Sequence, residues 1–231
     1  MTALASSDLR VRELVAVAGE PQNLVSYHLR LLRDEGLVTA TRSSFDGRDS
    51  YYHLDLDQCA QGLAHTGKAL HPSLGVVPQR SPSLAGSAAV LFVCTGNSAR
   101  SPIAQALLRR QGIVQVESAG TLPRPRVHSR AIRVLRDTYG VDISRQRPRA
   151  LKALAGRRFD YLITLCDKAR EVVPGLIDHA HRIHWSIPDP VAGAAADQAG
   201  DAFVRTAAEI ETRVRHLLPV LQTGQHQEAS L

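Results

Sequence analysis

From Ala88 onward, short unbroken apolar runs alternate with stretches of helical spacing. Ala88–Val93, Ile113–Glu117, Phe159–Leu165 and His181–His184 read as strands, and their lack of a polar face suits strands covered on both sides. Ser101–Gln111, Ser129–Tyr139 and Asp197–Leu221 read as helices. Ala131, Ile132, Val134 and Leu135 form the apolar stripe of the second, and Phe203, Ala207, Ile210, Val214, Leu217 and Leu218 that of the third. A short helix is expected near Arg149–Ala155, a loop at Ser118-Ala119-Gly120-Thr121, and a loop with a helical turn over Cys166–Val173. Alternating strands and helices predict an α/β, doubly wound parallel sheet. Ligands of such sheets bind at the carboxyl ends of the strands, where Cys94, Ser118, Cys166 and the region of Asp189 fall.

The front of the chain has another rhythm. Leu9–Ala18 and Gln22–Asp34 are amphipathic helices separated by Gly19-Glu20-Pro21, and Val38–Arg42 and Ser50–Leu54 flank an Asp46-Gly47 turn of hairpin type. Helix, turn, helix and hairpin make a small winged helix-turn-helix domain over 1–58. Cys59–Leu70 adds a helix, and the segment to Ser87, with Pro72, Pro78 and Pro82, reads as a linker. The parallel-sheet domain then spans 88–222, with a tail over 223–231.

Length and charge narrow the classes. A chain of 231 residues accommodates one sizeable core and a smaller one. No apolar run spans a membrane and Met1–Arg12 lacks the pattern of a signal peptide, so a cytoplasmic protein with no membrane partner is expected. Cys59, Cys94 and Cys166 are too few for a disulfide framework and read as catalytic or redox residues. The net charge of +6 is uneven: residues 1–87 carry eight Lys/Arg against nine Asp/Glu, whereas the rest carries twenty against thirteen. The basic run from Arg124 to Arg158 either steers an anionic ligand or is a solvated face. His179, His181 and His184 lack a cysteine or carboxylate at matching spacing, so no metal is expected.

The chemistry concentrates after the first strand of the rear half. Cys94 is followed by Thr95, Gly96, Asn97, Ser98 and Ala99, then by Arg100-Ser101-Pro102. Those five small or flexible residues let backbone N–H groups curl inward as an anion nest at a helix N-terminus. Arg100 adds a planar fork matched to two oxyanion oxygens. The same donors, with the Ser101 hydroxyl, favour a thiolate at Cys94, which makes it a nucleophile.

Two resemblances extend this reading. Val25, Ser26, His28, Leu29, Leu32, Gly36, Leu37 and Val38 resemble the recognition-helix pattern of the ArsR-type repressors. That resemblance implies a helix in the major groove: Gln22, Asn23, Ser26, Tyr27, His28 and Arg30 would face DNA, with Arg42 and Arg48 near phosphates. The front module is then a DNA-binding or a dimerising element, and Arg10-Val11-Arg12 stands where some members hold paired arsenite-binding cysteines.

The rear half resembles the low-molecular-weight protein tyrosine phosphatase superfamily, and within it the arsenate reductases. The matching words are Cys94-Thr95-Gly96-Asn97-Ser98 with Arg100-Ser101, Ser118-Ala119-Gly120, Val141-Asp142-Ile143-Ser144, Leu162-Ile163-Thr164-Leu165-Cys166, and His184-Trp185 with Asp189-Pro190. The resemblance implies attack of Cys94 on arsenate held by the loop and Arg100, Asp189 as general acid, and Cys166 as the resolving thiol. It implies no bound cofactor and an external thiol reductant: thioredoxin, or a mycothiol or glutaredoxin-like system. Thioredoxin-linked members carry a third cysteine seven residues beyond the second, where this chain has Val173. Without Cys166 the same loop serves a phosphotyrosine phosphatase; without turnover it serves an oxyanion- or redox-sensing regulator. By residue type alone, Asp189 is also a turn former before Pro190, and Cys166 also a buried apolar thiol.

Overall fold

The computed structural model describes residues 1–45, 47–71, 88–113, 115–173, 180–192 and 199–228. The expected linker over 72–87, Asp46 of the hairpin turn, His179 and the last residues of the tail lie outside them. The chain divides into two compact units, Met1–Pro82 and Ser83–Leu231.

The first unit runs α1 (Thr2–Ser6), β1 (Leu9–Arg10), α2 (Val11–Ala18), α3 (Gln22–Asp34), β2 (Val38–Arg42), β3 (Ser50–Leu54) and α4 (Leu56–Leu70). Its antiparallel sheet has the order β1-β3-β2, and Leu4, Leu14, Val25, Leu29, Val38 and Leu54 form its core. The helix expected from Leu9 begins at Val11, because Leu9 and Arg10 pair with Tyr52 and Tyr51 and extend the hairpin. The Glu13 carboxylate accepts the Arg10 N–H at 2.8 Å and satisfies a donor at the start of α2. A short helix not anticipated, α1, buries Leu4. Helix α4 starts at Leu56 rather than Cys59, capped by the Asp55 carboxylate on Gln58 N–H at 2.9 Å.

The second unit runs β4 (Val90–Cys94), α5 (Arg100–Arg110), β5 (Val116–Gly120), α6 (Ser129–Tyr139), a 3-10 turn (Leu151–Leu154), β6 (Tyr161–Thr164), α7 (Asp167–Val172), β7 (His181–His184) and α8 (Ala199–Glu228). All neighbours in the sheet β5-β4-β6-β7 are parallel. The central strand is fully inaccessible at Val90, Leu91, Phe92 and Val93, which is why its sequence carries no polar face. The chain leaves β4 for β5 on one side and returns to β6 on the other, so the switch point of the sheet lies at the carboxyl end of β4.

Ser118-Ala119-Gly120 is not a loop but the end of β5, paired with Phe92, Val93 and Cys94. The strand begins late, at Val116, because Gly112 at φ +87° turns the chain after α5. Pairing with the central strand then overrides the weak strand preference of Ser, Ala and Gly.

Candidate active site

Between β4 and α5 the chain turns through residues 95–99 with its carbonyls facing outward. The carbonyls of Cys94, Thr95, Gly96 and Ser98 accept backbone N–H groups from Thr121 (3.1 Å), Leu122 (2.8 Å), Arg124 (2.8 Å) and His128 (2.8 Å). In a trans peptide the next N–H points the opposite way, so the N–H groups of Thr95, Gly96, Asn97 and Ala99 turn inward. One of them is seen doing so: Asn97 N–H donates to Cys94 Sγ at 3.3 Å. The loop is thus a nest of donors at the N-terminus of the buried helix α5.

Asn97 holds the nest open. It adopts φ +46°, a left-handed conformation that Asn tolerates better than most residues. Its side chain is almost wholly buried and saturated: Nδ2 donates to Ser101 Oγ and Ser118 Oγ at 2.9 Å each, and Oδ1 accepts Arg149 N–H at 2.7 Å. Ser101 Oγ in turn lies 3.0 Å from Cys94 Sγ. Behind this layer, Ser118 Oγ donates to Gln105 Oε1 at 2.7 Å, and Gln146 Nε2 reaches Ser118 Oγ at 3.2 Å. Gly120 is required by contact: a Cβ there would meet Thr95 O at 2.7 Å.

Arg100, only 5% exposed, opens α5 and points its guanidinium at the segment after β7. Nη1 donates to Ile187 O at 2.9 Å and Nη2 to Asp189 Oδ2 at 3.1 Å. The structure therefore brings together Cys94, Ser101, Arg100 and Asp189, which lie far apart in sequence. Asp189 Oδ1 also accepts Val191 N–H at 3.1 Å, so the turn-former role coexists with its place at the site.

Cys166 follows β6 and occupies the N-cap position of α7, where its side chain makes no capping hydrogen bond. Its thiol, 2% exposed, lies 3.4 Å from Thr95 Oγ1, beside the residue that follows Cys94. Cys94 and Cys166 are both free thiols. Val173 is 1% exposed at the end of α7, a core position rather than a surface one. Cys59 belongs to the first unit, where burial, and then Asp55, push its thiol pKa up.

Several partners of the site carry no sequence signal that residue type alone reveals. Gln105 and Gln146 act through Ser118 and read in sequence as ordinary helix and loop residues. His128 is another: its N–H holds Ser98 O, its Nδ1 accepts Arg130 N–H at 3.2 Å, and its ring stacks on Phe203 at 4.7 Å. Burial, helped by Arg130 and opposed by Asp189, pulls its pKa below the usual histidine value. Of the basic run, Arg149 and Arg157 both pair with Glu117, and the Arg124 side chain packs against Gly96.

In the first unit, Gln22, Asn23, Ser26, Tyr27, His28 and Arg30 are all exposed on α3, while Val25 and Leu29 face the core. Arg42 and Arg48 are exposed on the hairpin, with Arg42 Nη1 donating to Gly47 O at 3.0 Å. Among the described residues no helix is long and apolar enough to cross a membrane.

Comparison with known proteins bears on both units. Residues 89–227 match the family described as low molecular weight phosphotyrosine protein phosphatase, and residues 1–40 match the bacterial regulatory protein, arsR family. An arsenate reductase of Brevibacillus brevis is 32% identical over 128 residues, covering 54% of this chain and 90% of that protein. Arsenate reductase 2 of Bacillus cereus shows the same identity and coverage. Among solved structures, the tyrosine phosphatase Wzb from Escherichia coli K30 in complex with sulphate is 26% identical, with a TM-score of 0.50 over 58% of this chain and 97% of that one. An arsenate reductase in the oxidized state is 25% identical, with a TM-score of 0.50 over 57% of this chain and 97% of that one.

Proposed function

This chain belongs to the low-molecular-weight phosphotyrosine protein phosphatase family, and we propose that it is a member that reduces arsenate to arsenite. The observation that carries the reading is the second thiol: Cys166 sits 3.4 Å from Thr95 in the loop that begins at Cys94. Hydrolysis of a phosphoester by such a loop needs one thiol, whereas two-electron reduction of arsenic(V) uses two. The 32% identity to arsenate reductases over most of their length supports it.

In the proposed reaction the inward N–H groups of residues 95–99 and the Arg100 guanidinium bind arsenate. The Cys94 thiolate attacks arsenic, and Asp189 gives a proton to the departing oxygen, which leaves as water. Ser101 and Asn97 N–H hold the sulfur in line. The Cys166 sulfur then attacks Cys94 Sγ: an S–S bond forms, the S–As bond breaks, and its electron pair reduces arsenic(V) to arsenic(III), released as arsenite. No bound cofactor takes part, and the two electrons are restored by an external thiol. With Val173 packed in the core, a surface relay through that position is not open. The reductant therefore acts on the Cys94–Cys166 disulfide itself, or a small thiol of the mycothiol or glutaredoxin-linked kind takes arsenic from Cys94.

The front unit is proposed to bind DNA through α3 and the wing, or to act as a dimerising element; with Arg10-Val11-Arg12 in place of paired cysteines it has no arsenite-binding thiol site there. Anaerobic incubation with arsenate, arsenite determination and mass mapping of the thiols test the enzyme. Arsenite release should match loss of the Cys94 and Cys166 thiols and vanish in Cys94→Ser. Turnover of aryl phosphates with no arsenite formed would overturn it in favour of a phosphatase, whose activity Cys166→Ser would leave intact. Gel shift of the gene's upstream DNA, with and without arsenate, separates a regulator without turnover.

A further inference from the structure

We propose that Asp167 is a positioning residue for Cys166, anchoring the resolving-thiol turn to the end of β7; this rests on the arsenate-reductase reading above. Asp167 is 1% exposed and directly follows Cys166. Its Oδ1 lies 3.1 Å from His184 Nε2 and accepts Ser186 Oγ at 2.7 Å. His184 Nδ1 lies 2.8 Å from Thr164 Oγ1. Thr164 ends β6 and His184 ends β7, paired in the parallel register, so these contacts lace two strand ends to the first residue of α7.

A core filler does not account for this choice. Withdrawing a carboxylate from water opposes folding, and an apolar side chain of similar volume packs without that penalty. What the carboxylate adds is direction: two donors from one neighbouring segment fix where the turn lies.

The resolving step has a geometric need that such an anchor meets. Val93 pairs with Thr164, and Leu165 N–H donates to Val93 O at 2.7 Å. Cys94 and Cys166 therefore stand diagonally beyond this pair, and strand spacing and rise put their Cα atoms roughly 6 Å apart. That separation suits a disulfide. The Cys166 thiol itself, however, rests on Thr95 Oγ1. Disulfide formation then requires the Cys166 sulfur to leave Thr95 and reach Cys94, from a turn whose position the Asp167 contacts set. In that step Cys166 loses its thiol proton to solvent, its sulfur bonds to Cys94 Sγ, and the S–As electron pair goes to arsenic. The segment bearing Asp189 keeps its own hold through Arg100, which bonds both Ile187 O and Asp189. Loss of the Asp167 carboxylate thus frees the thiol turn while the acid stays placed.

The experiment uses the full chain and two readouts, the rate of Cys94–Cys166 disulfide formation and the hydrolysis of p-nitrophenyl phosphate. Disulfide formation is driven by arsenate in one arm and by diamide, a two-electron thiol oxidant, in the other. Asp167→Ala, which removes the acceptor of both bonds, should slow the disulfide about tenfold or more in both arms and change hydrolysis less than about threefold. Asp167→Asn, which keeps an Oδ1 acceptor, and His184→Gln, which keeps a donor toward the carboxylate, should stay close to the wild-type rates. A wild-type disulfide rate in Asp167→Ala, or equal loss of both readouts, overturns the proposal. Should that variant not fold, Ser186→Ala keeps the charge and removes one donor: a slowing of the disulfide alone supports the proposal, and no slowing overturns it. A wild-type protein oxidised by diamide but not by arsenate sinks the arsenate reading and leaves the Asp167 comparison intact in the diamide arm.

Discussion

Arg100 donates to the Asp189 carboxylate at 3.1 Å, so one buried guanidinium at the end of the oxyanion loop also orients the candidate general acid. Asp189→Asn keeps a partner for Arg100 but cannot protonate a leaving oxygen. It should lower kcat for aryl phosphates and for arsenate by about 10²–10³-fold with little change in KM. Arg100→Lys should raise KM and lower kcat together, because a point charge replaces a planar fork on both the oxyanion and Asp189. Steady-state kinetics of the two variants separate these patterns.

Gly120 touches the loop without taking part in its chemistry. The Cβ of Gly120→Ala would lie 2.7 Å from Thr95 O and 3.0 Å from Asn97 N, both backbone atoms that cannot move aside cheaply. The expected cost is about 1–3 kcal/mol of stability, read by thermal unfolding, with a larger fractional loss of activity because the nest itself shifts. Activity that survives while stability falls would show that the loop relaxes without losing its donors.

Asn97 combines a backbone and a side-chain role that two substitutions pull apart. Asn97→Gly keeps the φ +46° conformation at no steric cost but deletes the bonds to Ser101, Ser118 and Arg149. Asn97→Ala deletes the same bonds and adds strain of about 1 kcal/mol or more. Both should lose activity alike, and Ala should be the less stable of the two in denaturant unfolding.

How far the sequence reveals this arrangement depends on the range of the interactions. The hairpin and recognition helix have the bounds their patterns predict, because Gly19, Pro21 and Gly36 punctuate them locally. The Cys94 loop is legible for the same reason: its donors come from consecutive residues. Ser118-Ala119-Gly120 reads as a loop in sequence because strand pairing with Phe92, Val93 and Cys94 is a non-local effect that small residues do not announce. Gln105, Gln146, His128 and Asp167 carry no local signal, since each bonds or packs against a residue distant in the chain. Leu9 and Arg10 have helical spacing, but two ladder positions on β3 outweigh it.

His128 carries a pH dependence with a definite sign. Burial holds its pKa below the ordinary value of 6.5, so the folded protein binds this proton less readily than the unfolded chain. Stability from this residue is present above the unfolded pKa and is lost as pH falls toward the folded one. Melting temperature of the rear unit should drop between about pH 7 and pH 5, and His128→Asn, which keeps an acceptor for Arg130 N–H, should flatten that drop. An unchanged slope would place the acid sensitivity elsewhere.

The front unit makes a prediction about salt. Residues 1–87 carry eight basic and nine acidic residues, so electrostatic binding that ignores base sequence should be weak, and affinity must come from the exposed face of α3 and the wing. Arg42→Ala and Arg48→Ala, which remove candidate phosphate contacts, should each weaken binding to the upstream duplex across sequences and reduce the slope of log affinity against log salt by about one. Asn23→Ala or Ser26→Ala, on the face opposite buried Val25 and Leu29, should instead leave the slope unchanged. Each should cost about 1–3 kcal/mol at the preferred site only. Fluorescence anisotropy of a labelled duplex, titrated at several salt concentrations, reads both effects. A duplex bound equally well by all four variants would show that α3 does not enter the groove.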